Sequence, residues 1–187
     1  MRKSHHLAGT LLAACLSCMP FSAYADPVEW GTFGKWSVNV EPDLGFGCYV
    51  SRLYEDRTIL HVGFAMLPGN AGFYVLLRND KWKSLKDDKA YALHLSFDSK
   101  KALELEATGS SSSHGLSIVT KMAKLMAQFE TSSQLLVTYD GKEVADLRLD
   151  GAKTAFSQMR ACQDETEKML RKSAEDAKQQ DPFAKTP

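Results

Sequence analysis

Leu135-Leu136-Val137-Thr138-Tyr139-Asp140-Gly141-Lys142-Glu143-Val144-Ala145-Asp146-Leu147-Arg148-Leu149 consists of two strand-like runs joined by Asp-Gly, the dipeptide best suited to a two-residue hairpin. Both turn residues tolerate positive φ, and the type I′ turn they form has a twist that matches paired strands. A hairpin here predicts an antiparallel sheet, and the sequence upstream supplies more strands for it. Tyr91, Leu93, Leu95 and Phe97 lie on one face of a run that turns at Asp98 to Lys101. The chain returns with Leu103, Leu105 and Ala107 alternating with Glu104 and Glu106, which predicts a second hairpin. Earlier, Trp36, Val38 and Val40 alternate with polar residues, and Cys48 to Tyr54, Thr58 to Met66 and Phe73 to Arg78 follow as further strands. Gly45-Phe46-Gly47 and Leu67-Pro68-Gly69-Asn70 are turn signals between them.

The period then changes. Gly109 to Gly115, with four consecutive serines, reads as a surface loop. Met122, Leu125, Met126 and Phe129 fall at helical spacing with Thr120 as the N-cap, and Ala152, Ala155, Phe156 and Met159 form a second helical stripe ending near Cys162. The expected fold is α+β: an antiparallel β-rich sheet or sandwich of about eight strands with two packed helices. Residues 26–163 form one domain, and 164–187 form a charged tail that starts helical and becomes disordered around Asp181-Pro182-Phe183.

The first 25 residues read as a signal peptide. Arg2 and Lys3 make a basic start, Leu7 to Pro20 is apolar, and Ala23-Tyr24-Ala25 supplies small residues for cleavage. The apolar run falls short of the roughly 20 residues that span a bilayer, so no stable membrane insertion is expected. Cleavage removes Cys15 and Cys18 and leaves Cys48 and Cys162, an even pair in an oxidising compartment, hence an expected disulfide. Leu12-Ala13-Ala14-Cys15 offers the alternative of a lipoprotein acylated at Cys15, although Leu16 to Phe21 stays apolar where a polar tether is usual. Lys plus Arg balance Asp plus Glu at 23 each, so the exported chain is slightly acidic and lacks the basic stripe of a nucleic-acid surface.

Candidate chemistry is sparse. His61 and His94 lie opposite the apolar faces of their strands and would share a metal only if those strands were neighbours. His114 beside Ser110 to Ser113 invokes a nucleophile and base, but a flexible tract does not hold that geometry. The carboxylates Glu55, Asp56, Asp87, Asp88, Glu104 and Glu106 sit among lysines and arginines as a solvated surface would, and Asn79 to Asp88 lacks calcium-loop spacing. No catalytic residue, metal or cofactor is expected. The aromatic group is the candidate binding surface: Trp30, Phe33, Trp36, Tyr49, Tyr54 and Trp82.

Phe33-Gly34-Lys35-Trp36-Ser37-Val38, with Leu147-Arg148-Leu149-Asp150-Gly151-Ala152 leading into Ala155-Phe156, resembles two edges of small exported bacterial proteins of the invasion-associated locus B type. It departs from that pattern at Lys35, where an acidic residue is expected. Asn79-Asp80-Lys81-Trp82 and Tyr91 to Asp98 are similar to uncharacterised exported domains of Gram-negative envelopes. The resemblance implies a periplasmic or secreted β-rich domain and brings no catalytic residues with it. The expected function is non-enzymatic: an envelope protein acting through binding to another envelope or secreted protein, in envelope maintenance or host-associated fitness. The alternatives are a hydrolase acting on an envelope polymer and an inhibitor or immunity-like module for an exported enzyme.

Overall fold

The computed structural model describes residues 25–180 apart from 68 and 70. The leader with Cys15, the Pro68 and Asn70 of one expected turn, and the tail from 181 onward lie outside the described residues. In chain order the elements are β1 (Val28–Phe33), β2 (Trp36–Glu41), a short 3-10 turn (Pro42–Leu44), β3 (Gly47–Leu53), β4 (Ile59–Ala65), β5 (Gly72–Arg78), β6 (Ala90–Phe97), β7 (Leu103–Ser110), β8 (Gly115–Thr120), α1 (Ala123–Thr131), β9 (Gln134–Tyr139), β10 (Lys142–Arg148) and α2 (Ala152–Gln180).

The strands form one antiparallel sheet in the order β1-β2-β3-β4-β5-β8-β7-β6-β9-β10. The α+β class holds, with ten strands among the described residues where the pattern predicted about eight. The two additions are β1 and β8. Asp140 and Gly141 take φ of 50° and 71°, and Tyr139 pairs with Lys142, as the Asp-Gly turn requires. The serine loop is shorter than expected, because β7 runs on to Ser110 and β8 begins at Gly115. Thr120 therefore closes β8, where its hydroxyl accepts a hydrogen bond from the Met122 backbone N–H, and α1 starts later than expected, at Ala123.

Period-two alternation sends one apolar row of every strand from β2 to β10 to a common face, where these side chains build a continuous core with Phe129 of α1 and Phe156 and Met159 of α2. The sheet curls around that core until its ends are bridged by side chains. Trp36 Nε1 donates to the Asp150 carbonyl at 2.8 Å, and Arg52 Nη1 and Tyr54 Oη donate to the Arg148 carbonyl at 2.7 and 3.0 Å.

Helix α2 is fixed to β3 by the Cys48–Cys162 disulfide, with Cα atoms 6.1 Å apart, and by Gln163 Oε1 accepting from the Cys48 N–H. Its buried stripe ends at Thr166, yet the helix continues to Gln180 with Met169 and Leu170 exposed one turn beyond. Among the described residues no helix is long and apolar enough to cross a membrane.

Candidate functional site

The structure does not assemble the six aromatic residues into one exposed surface. Trp36 is fully buried on the concave face, edge-on to Phe156 at 6.4 Å. Tyr49 is buried on the convex face, its ring tilted against that of His61 at 5.0 Å and beside Tyr74. The register explains the separation: Tyr49 pairs with Asn39 while Val38, on the side of Trp36, pairs with Val50, so positions 36 and 49 face opposite ways. Trp30, Phe33, Tyr54 and Trp82 are half-buried against the core. Of these, Trp82 borders a separate cavity with Tyr91 and Tyr139, in the other half of the sheet.

The ionisable candidates are also dispersed. His61 on β4 and His94 on β6 are four strand steps apart in the sheet, about 19 Å at the usual spacing, which is too far to share a metal. Burial disfavours the imidazolium of His61, and the charge of Arg78 adds to this, so its pKa falls to about 4. Glu55 and Asp56 edge one cavity and Asp88 another. Asp56 is occupied in closing its own turn, accepting from the N–H and hydroxyl of Thr58. Ser111 donates its N–H and its hydroxyl to Asp87, which pins the serine loop and holds that carboxyl below its usual range. That pair of contacts is a loop clasp.

Packing builds a different site. Where β4 ends and β5 begins, α1 and α2 converge to leave a groove of about 620 Å³. Phe64 and Phe73 come from the strands, Met66 from just beyond β4 and Met126 from α1, giving apolar walls, while Asp164 and Glu167 stand on α2 and Lys121 precedes α1. Arg160 also lines the groove, held by a two-point ion pair to Glu130 across the two helices, which raises its pKa. Several large exposed apolar side chains stand at the same end of the sheet. Phe46, Leu67 and Met122 lie at the strand and helix ends that border it, Val28 begins β1 at the same end of the sheet, and Val119, in register with Tyr74, faces the convex side. Among the described residues, Leu53 and Tyr139 stand apart from this cluster. Met66 and Met126 carried no separate signal in the sequence, because each occupies a regular core-stripe position. The groove exists only once three distant elements pack.

No family model matches the chain, and no curated protein matches it. Among solved structures it is similar to invasion associated protein B from Bartonella henselae, with 17% sequence identity and a TM-score of 0.50, over 72% of this chain and 97% of that one. That likeness is one of fold, and it agrees with the resemblance carried by Phe33 to Val38 and Leu147 to Phe156.

Proposed function

We propose that the protein is an exported, non-enzymatic envelope protein that works by binding another protein at the end of the molecule where α1, α2 and the β4–β5 strand ends meet. The observation that carries this reading is an apolar groove walled by Phe64, Met66, Phe73 and Met126, at the end of the sheet where Phe46, Leu67 and Met122 are also exposed, an arrangement typical of interaction sites. Methionine walls suit such a role, since an unbranched thioether repacks around different partners. The buried Cys48–Cys162 disulfide supports residence in an oxidising compartment, periplasmic or secreted. The fold neighbour is described as invasion-associated, which fits an envelope or host-facing setting.

A photocrosslinking residue placed at Lys121, on the groove, is expected to capture a discrete protein in intact envelopes. The same residue at Leu53, exposed at the opposite strand end, is expected to capture none. Equal capture at both positions, or none at Lys121, would remove the groove from the argument. Release of soluble fragments from purified envelope polymer by the protein alone would overturn its non-enzymatic character.

A further inference from the structure

We infer that the groove receives the projecting end of α2 from a second copy of this chain, so that two copies exchange helical arms about a two-fold axis; this rests on the groove being a protein-binding site. Helix α2 makes its last buried contact at Thr166 and then runs to Gln180, so that roughly 20 Å of helix stands off the domain. That arm begins with an apolar pair between basic residues, Lys168-Met169-Leu170-Arg171-Lys172, with Met169 61% and Leu170 41% exposed.

The groove is the chemical counterpart of that segment. Its apolar walls match Met169 and Leu170. Its α2 rim carries Asp164 and Glu167, three residues apart and therefore on one helix face, and neither forms a salt bridge among the described residues. The charge of Arg160 is already met by Glu130, which leaves two acids against Lys121 on the opposite wall, so the open charge of the groove favours a basic occupant. The arm cannot fill the groove of its own chain, because Asp164, Glu167 and the arm belong to one continuous helix that does not fold back on itself. A second copy satisfies both surfaces at once. A two-fold axis makes the contact isologous: each groove takes the other's arm, and the assembly closes at two. An anionic lipid surface is disfavoured by the same two carboxylates.

Sedimentation of the protein recovered from the envelope should show a dimer whose affinity falls with added salt. Two charge reversals decide the interface. Asp164→Lys with Glu167→Lys makes groove and arm both basic, and Lys168→Glu with Arg171→Glu makes both acidic. Each variant alone should dimerise about tenfold more weakly or not at all, and a mixture of the two should recover the dimer, because each acidic surface then meets a basic one. Met169→Glu with Leu170→Glu alters only exposed positions and should abolish the dimer while leaving the circular dichroism spectrum unchanged. A monomer at every concentration, a dimer indifferent to all three variants, or reversal variants that fail to recover on mixing would each overturn the arm exchange. Capture of a different protein at Lys121 by a monomeric chain would leave the binding reading standing and this one refuted.

Discussion

Gly63 shows how one absent side chain shapes the convex face. It pairs with Tyr49 on one side and Tyr74 on the other, and a Cβ at position 63 would stand 2.2 Å from the Cβ of Tyr49. Gly63→Val sets a Cβ against the Tyr49 Cα and Cβ and the Cys48 carbonyl oxygen, so it must spread β3 from β4, at an expected cost of about 3 kcal/mol in urea unfolding; Tyr49→Ala keeps those atoms and should leave that cost in place. Beside this cluster His61 stays neutral, with a pKa near 4 against 6.5 for the free side chain, chiefly through burial. As pH falls below 6.5 the unfolded chain takes up a proton that the folded chain refuses until about 4. The neutral form therefore contributes stability that is fully present above pH 6.5 and is lost progressively down to about 4, by up to roughly 3 kcal/mol. His61→Gln should flatten that slope, and an unchanged difference in unfolding free energy between about pH 7 and about pH 4.5 in the variant would assign it elsewhere.

At the scale of elements, reduction offers a clean measurement. The Cys48–Cys162 bond joins positions 114 residues apart, so the chain-entropy account gives about 5 kcal/mol as an upper guide to what Cys48→Ala with Cys162→Ala removes. Phe156 and Met159 stay in the core without it, so α2 should remain helical while amide exchange rises first around Cys162 to Thr166; no change in either midpoint or exchange would show the bond to be idle. Which elements alternation could reveal follows from burial. The strands read from the sequence have a buried row facing a less buried one, as in Tyr91, Leu93, Leu95 and Phe97 of β6. Strand β1 is an edge with a single neighbour, and its exposed Val28 and Glu29 break the pattern. Strand β8 offers only Leu116 and Ile118 to the core, between a serine tract and a helix that mask its period. The disulfide was legible because the expected loss of the leader leaves one cysteine pair. The groove was not, because no local pattern announces where Met66, Met126 and Asp164 will meet.

The whole molecule has to manage a ten-stranded sheet whose two outermost strands each have a single ladder partner, and open edges invite association. Side chains, in place of a further ladder, tie β2 and β3 to the chain leaving β10. Arg52 lies 4.7 Å from the ring centroid of Tyr54 and 5.5 Å from that of Trp36, with Nη1 serving the carbonyls of both Arg148 and Asp150. Each carbonyl has a second donor: Tyr54 Oη for Arg148 and Trp36 Nε1 for Asp150. Arg52→Met keeps an apolar stem and leaves neither oxygen unpaired, and Tyr54→Phe likewise leaves Arg52 on Arg148. Each single change should cost about 1 kcal/mol. The double variant strands the Arg148 carbonyl and should cost about 3 kcal/mol, more than the sum of the singles, with faster amide exchange in β10 than in β4 and β5. Strict additivity would mean that the sheet ends are held by packing against α2 alone, and the polar bridge would then be a consequence of the curl instead of its cause.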